Sequence, residues 1–238
     1  MIRAAVSRAM HHCRHRQVFG KPLAAQPMMR AVLADMALEV EGVVASVMRL
    51  CRSFDLAASQ PAEAARARLL TPAIKYAVCK AAPSLVYEAM ECLGGNGYVE
   101  ESVLARLYRE APVNAIWEGS GNVVALDVLR AVSRDEEAAR ATLAELAQET
   151  TGLPGAAEAV EFVGKTLASD AVEAQARAAV ERIAALAAAA ALATGPAPNI
   201  AGMFARTRLS GRAGASYGIA ALDSAETRTL LGRVLPDA

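Results

Sequence analysis

An all-α fold is predicted, with a four-helix bundle followed by a second, smaller helical domain. Three observations predict it. Alanine, leucine, glutamate and arginine, all strong helix formers, dominate, while aromatic residues make up only 4%. Apolar residues recur at spacings of three and four over long stretches, the period of an amphipathic helix. Gly- and Pro-containing turns separate those stretches, and neither strand-like alternation nor an internal repeat interrupts them. With 238 residues, 54% of them hydrophobic, the chain can bury one large or two ordinary cores.

Helical patterning begins at once over 1–17, with Ile2, Ala5, Val6, Ala9 and Met10 on one face. Gly20-Lys21-Pro22 breaks it. The next helix spans about 27–58, with a stripe of Met29, Val32, Leu33, Met36, Val40, Val43, Val44, Val47 and Leu50. Such length suits a bundle of long antiparallel members. Ser59-Gln60-Pro61 turns the chain into a third helix over about 62–93, where Pro72 and Pro83 predict kinks or a break. Gly94-Gly95-Asn96-Gly97 ends it, a run that no ordinary helix survives. Glu100, Glu101 and Ser102 favour the start of a short helix over 101–109. A loop over 111–117 leads to a helix over about 120–132.

Composition shifts near Ser133-Arg134-Asp135. Residues 1–134 hold 16 basic and 12 acidic groups, leaving 9 and 13 of the 25 of each for residues 135–238. A domain boundary is placed there, giving domains 1–134 and 135–238. The second reads as helices near 135–150, 155–193, 197–207 and 213–234, with turns at Gly152-Leu153-Pro154-Gly155 and Gly195-Pro196-Ala197-Pro198.

The zero formal net charge gives no global attraction to nucleic acid or anionic lipid. Cys13, Cys51, Cys79 and Cys92 are widely spaced without a CxxC, which suits reduced thiols in a cytoplasmic protein. The basic, amphipathic start has no apolar signal core. The longest apolar run, Ile183 to Thr194, falls short of the roughly 20 residues of a membrane span. A soluble protein is expected. His11, His12 and His15 cluster with Cys13. His11 and His15 are one helical turn apart, but no acid or further ligand is fixed nearby, so no metal site is expected. Lys75 and Lys80 read as surface charges, and Met28, Met29, Met36 and Met48 as core filler.

Three segments can carry chemistry. In Trp117-Glu118-Gly119-Ser120-Gly121-Asn122 a carboxylate stands between a tryptophan and a Gly-Ser-Gly turn, just before a helix whose free N–H groups can hold a phosphate. Beside an apolar wall, desolvation would make Glu118 a stronger base. A helix-start acid complementing the dipole accounts for the same residue. In Arg16-Gln17-Val18-Phe19-Gly20 the guanidinium can fork onto a pyrophosphate, or simply meet helix C-terminal carbonyls. In Glu91-Cys92-Leu93-Gly94-Gly95-Asn96-Gly97-Tyr98 the glycines permit positive φ and close approach to a ligand, or merely stop a helix. The run is not GxGxxG and follows no strand, so a dinucleotide fingerprint is excluded.

Together, in order and spacing, these segments resemble the C-terminal bundle of the acyl-CoA dehydrogenase superfamily. That bundle carries Arg-x-x-Phe-Gly, a long helix with an "LADMA" core (here Leu33-Ala34-Asp35-Met36-Ala37), a Gly-Gly-x-Gly-Tyr loop and [Tyr/Trp]-Glu-Gly-[Thr/Ser]. The wording RQVFGKPL, LTPAIKYAVCK, EAMECLGGNGY, RLYREAPVNAIWEGSGN and LDVLR looks like the alkylation-response, AidB-type branch. The resemblance implies FAD-dependent α,β-dehydrogenation of an acyl-CoA. Glu118 would be the base, with its own N–H helping to bind the thioester carbonyl, and Trp117 and Gly119 would line the substrate pocket. Ser120 and Asn122 match positions touching FAD. Arg16 and Phe19, with Glu91, Leu93, Gly94 and Gly95, match positions near the FAD of a partner subunit.

Two departures stand out. The family commonly has Gln, contacting FAD, eleven residues after the Arg, where this chain has Pro27 preceded by Gln26, the candidate for that FAD contact here. It also usually has Gln where this chain has Glu91. Relatives carry a helical domain and a β-domain ahead of this region. The resemblance therefore implies a separately encoded N-terminal half as partner, a homo-oligomer, and weak FAD retention by the chain alone. A non-catalytic helical interaction module is the alternative. The AidB-type branch is also associated with DNA, for which Arg130, Arg206, Arg208 and Arg212 are the candidate phosphate contacts.

Overall fold

Eleven α-helices are described in a computed structural model covering residues 1–210 and 216–235. They pack as two units, each built from discontinuous stretches of chain.

The first unit takes residues 1–40, 79–114 and 216–235. Helix α1 (Ile2–His15) buries Ile2, Ala5, Val6, Ala9, Met10 and Cys13, the face its spacing predicts. A two-residue hairpin follows, β1 (Gln17–Val18) against β2 (Lys21–Pro22). The sequence showed no alternation here because strands this short have none. Helix α2 (Pro27–Leu56) gives this unit its N-terminal part, burying Leu33, Ala34, Met36, Ala37 and Leu38. Asp35 is buried among them. Its Oδ2 accepts the backbone N–H groups of Gly218 at 2.9 Å and Ala220 at 3.3 Å, so a carboxylate ties the far end of the chain to the LADMA segment. Charge-assisted bonds of this kind are what a buried carboxylate requires. Gly218 sits at φ +89, where a Cβ would meet Val32 at 2.7 Å. Helix α11 (Ser224–Val234) starts at a capping box of Asp223 and Glu226 and packs on α1, where the Arg14 guanidinium donates to the Leu235 carbonyl.

Helix α3 (Pro61–Glu91) gives its C-terminal part to this unit. It runs unbroken through Pro72 and Pro83, so the expected break is absent. Each proline removes one N–H bond, a local loss that a helix of 31 residues buried on both sides of the gap survives. The glycine run also departs from expectation, because Gly95–Tyr98 forms a single helical turn, α4. Helix α5 (Val103–Glu110) is capped by Ser102, whose side chain accepts the Leu104 N–H at 3.3 Å.

The second unit takes residues 41–78 and 115–210. It comprises the remaining parts of α2 and α3 with α6 (Gly121–Arg134), α7 (Glu136–Glu149), α8 (Ala156–Leu167), α9 (Val172–Thr194) and α10 (Pro198–Phe204), the last running into a π-turn at Ala205–Leu209. Helix α9 is the hub, packing on α6, α7, α8 and α10. Its stretch from Leu186 to Leu192 is buried all round, which explains its Ala-rich composition. Among the described residues no helix is long and apolar enough to cross a membrane.

One expected helix, 155–193, is two. Ser169 separates α8 from α9, its hydroxyl accepting the Ala171 N–H at 3.1 Å, a local bond that competes with helix continuation. Of the expected 213–234 helix, residues 213–215 lie outside the described residues, 216–223 are not helical, and the helix begins at Ser224.

The C-terminal part of α2 also differs. Its buried positions are Gly42, Ser46 and Ser53, not the expected Val43, Val44, Val47 and Leu50. A Cβ on Gly42 would stand 2.2 Å from the Phe204 ring, so α10 sits against that glycine. Ser53 and Arg49 both bond Glu63, at 2.6 Å and at 2.8 to 2.9 Å. Met48 is consequently 63% exposed, and Met28 in the first unit is 85% exposed, so neither is core filler. Arg66 is the largest fully buried side chain among the described residues, its guanidinium reaching Glu145 at 3.4 Å and Glu149 at 2.6 Å on α7.

Candidate functional site

The loop between Ala115 and Gly121 is shaped by backbone angles that most residues avoid. Glu118 lies at φ +54 and Gly119 at φ +115. A Cβ on Gly119 would meet Val123 and Val124 at 3.3 Å each, so the close turn onto α6 requires glycine. Glu118 is not a β-branched or aromatic residue, but a positive φ still costs it free energy, and such strain gathers at functional sites. Its carboxylate is exposed, as are Ile116 and Trp117, the latter 56% accessible. The desolvation expected of Glu118 therefore does not come from this chain's own atoms.

What holds the loop is Lys75 on α3. Its ammonium donates to the Trp117 carbonyl at 2.8 Å and to the Gly119 carbonyl at 2.9 Å, the two carbonyls either side of Glu118. Reading Lys75 as a surface charge is thereby corrected. Lys75 stands in an otherwise buried stretch, with Ala73, Ile74 and Tyr76 beside it, but no residue type in the sequence points to its backbone partners. Lys80 is exposed, as expected.

Ser120 is the N-cap of α6, yet its side chain makes no capping bond. Its exposed hydroxyl and the exposed Asn122 flank a helix start whose first-turn N–H groups point to solvent or to a ligand.

In the first unit, Arg16 caps α1 and is exposed, its N–H bonded to the His12 carbonyl at 2.8 Å. Phe19 and Gly20 form the hairpin tip at φ +52 and φ +78, the paired positive angles of a type I′ turn. Phe19 is 94% exposed there. Gln26 is half-buried and donates its side-chain amide to the Val18 carbonyl at 2.9 Å, so it braces this hairpin. Glu91 ends α3, exposed, and its carboxylate, one turn from Tyr87, raises the Tyr87 phenol above its ordinary value. Leu93 is half-buried. Gly94 adopts φ +59 and ψ −141, with open space where a Cβ would point, and Gly95 is likewise open. Gly97, in contrast, is packed against the Met90 carbonyl, 2.3 Å from a Cβ position.

The remaining candidates are elsewhere. Arg130 is exposed on α6, whereas Arg206 and Arg208 are half-buried in the π-turn with neighbours of their own. Arg212 lies outside the described residues. His11 and His15 stack with ring centroids 4.5 Å apart, and the Cys13 thiol turns inward to the Cys92 carbonyl at 3.8 Å. No cluster of three or more metal-ligating side chains occurs among the described residues.

A family profile described as the C-terminal domain of acyl-CoA dehydrogenases matches residues 1–133, more than half of the chain. The chain belongs to the acyl-CoA dehydrogenase family. AidB of Escherichia coli strain K12 is 55% identical over 134 residues, which is 56% of this chain and 25% of AidB. Acyl-CoA dehydrogenase family member 11 of Caenorhabditis elegans is 37% identical over 138 residues, 57% of this chain and 22% of the relative. The crystal structure of Caenorhabditis elegans ACDH-11 in complex with C11-CoA superposes with a TM-score of 0.77 at 29% identity, covering 86% of this chain and 40% of that one. An FAD-bound acyl-CoA dehydrogenase from Bacillus anthracis shares the fold, with a TM-score of 0.64 at 18% identity, covering 98% of this chain and 43% of that one. The matched region is thus about a quarter of the length of these curated relatives. The likeness to this acyl-CoA dehydrogenase fold extends well beyond residue 133.

Proposed function

We propose that this chain supplies one wall of a flavin-dependent acyl-CoA dehydrogenation site, with Glu118 as the base. The observation that carries the reading is the loop at 117–119: a carboxylate at positive φ, pinned on both sides, between an exposed tryptophan and a helix start whose capping hydroxyl is unused.

The residues fit FAD. The α6 start, with Ser120 and Asn122, offers N–H and side-chain donors to a phosphate or ribityl group. Phe19 and Arg16 at the hairpin, and the open Gly94-Gly95 backbone beside Glu91 and Leu93, offer an aromatic face, a guanidinium and close approach to a cofactor from a second copy of this chain. Gln26 contributes by bracing that hairpin. When bound, FAD accepts the hydride that leaves the β-carbon of the acyl group.

Glu118 removes the α-proton of the thioester onto its carboxylate. Its backbone N–H donates to the thioester carbonyl, where charge develops as the proton leaves. Trp117 and Gly119 line the acyl chain's path. A carboxylate is a useful base for so weak an acid only when water is excluded. Exposed Glu118 therefore needs cover, and the domains that precede this region in relatives are the proposed source. The apolar groups left in the open, Met48, Phe54, Ile116 and Trp117 in one unit and Phe19, Met28 and Tyr98 in the other, support such cover and self-association. The division at about residue 134 is proposed as one of ancestry, with 135–238 an appended helical domain. A cytoplasmic setting accords with the free thiols.

The test is to combine the chain with such an N-terminal half and follow FAD binding and bleaching of the flavin by acyl-CoA. The chain alone should retain little FAD, and stoichiometric absorbance near 450 nm would contradict this. In the complex, Glu118→Gln should keep FAD and lose bleaching. Retained bleaching removes Glu118 as the base.

A further inference from the structure

We infer that Lys75 is the positioning residue of the Glu118 loop, an assignment of role that rests on the dehydrogenation reading but whose geometry stands without it. Glu118 has no support of its own. Its side chain is exposed, so no packing holds it, and its φ of +54 opposes the intrinsic preference of the backbone. Left to itself, a segment of this kind relaxes. Ser120 adds no capping bond that would fix the loop from the helix side.

Among the described residues, the one side chain that reaches the loop with charge-assisted bonds is Lys75, and it holds two carbonyls with one ammonium. Those carbonyls belong to residues 117 and 119, so the peptide planes on both sides of Glu118 are oriented by a single group. An ammonium has three donors on a tetrahedral centre and can serve two acceptors at once. It also stands on α3 between buried Ile74 and Tyr76, a rigid support of the kind a precise site needs. Lys75 touches no reacting atom in this account. It acts through Glu118 by setting where the carboxylate and the Glu118 N–H point.

Trp117 is the only tryptophan in the chain and its carbonyl accepts one of the two bonds, so the loop carries its own reporter. The experiment uses the full chain. Lys75→Met removes the donors while keeping a stem of similar length. Both carbonyls can then be hydrated, so helix content should be unchanged. Proteolytic cleavage within residues 116–121 should speed up about tenfold, because both bonds that close the loop are lost. Trp117 anisotropy should fall and its quenching by acrylamide rise. Lys75→Arg, with a fork that can serve two carbonyls, should restore all three signals. A wild-type cleavage rate and anisotropy in Lys75→Met overturn the assignment. If Lys75→Met does not fold, Lys75→Gln, too short to span both carbonyls, decides by the same signals. A loosened loop in a protein whose Glu118→Gln complex still bleaches flavin keeps the clamp and removes only the base.

Discussion

Phe19 occupies a conformation that bulky side chains avoid, and the hairpin around it is tight enough to impose that conformation. A type I′ turn favours Asn or Gly at this place. Phe19→Asn should therefore stabilise the chain by about 0.5–1 kcal/mol, read as a rise in Tm. The same substitution should weaken FAD binding in the assembled complex, since it removes the aromatic face. If the substitution lowers Tm, the strain argument fails. Gly97 shows the opposite case. A methyl group there overlaps the Met90 carbonyl, so Gly97→Ala should cost about 1–3 kcal/mol in chemical denaturation. Both residues fall in motifs that were legible in the sequence. What the sequence withheld was Lys75, because its partners are backbone carbonyls more than 40 positions away and carry no residue-type signature.

At the scale of elements, periodicity located helices α1, α2, α5, α6 and α7 to within a few residues, because their ends carry turn residues or caps. It failed where two local rules competed. The Ser169 turn splits a stretch that is helical by composition, and the second half of α2 buries small polar residues instead of its valines. The polar face is explained by Arg49, Ser53 and Glu63, which need one another. The Glu63 carboxyl is held below its ordinary value chiefly by the Arg49 hydrogen bond, with Ser53 and Arg66 also lowering it against the opposing effect of burial. A depressed folded-state pKa contributes stability that is complete above the unfolded value, about 4.3, and is lost as pH falls through the folded one. Acid should thus destabilise the second unit, and Glu63→Gln should flatten that loss in melts between about pH 5 and 3. Glu88 in the first unit has the opposite sign. Burial and the nearby Glu91 and Asp35 raise its pKa, so its protonation as pH falls is favourable to folding. Arg66 links α3 to α7. Its guanidinium is nearly fully buried while Glu145 and Glu149 remain partly hydrated. Arg66→Ala should cost about 3 kcal/mol, near the low end for a broken buried pair, because water can reach the two carboxylates left behind. A loss under about 1 kcal/mol would show that Arg66 is held by packing alone.

For the whole molecule, chain order and packing do not coincide. The C-terminal segment returns to the first unit through Asp35, and no pattern in residues 216–223 announces it. Asp35→Ala would leave two backbone N–H groups without their acceptor, a loss of about 2–4 kcal/mol. Limited proteolysis should then release the segment after residue 210 while sparing α6 to α9. Unchanged resistance would show that α11 is held by its contact with α1. A strained, clamped carboxylate on this wall is proposed to abstract an acyl α-proton once other domains cover it. The most direct measurement of this step is loss of deuterium from α-deuterated acyl-CoA in water by the assembled complex. Washout is expected with the unsubstituted chain and none with Glu118→Gln, and equal washout in both removes Glu118 as the base.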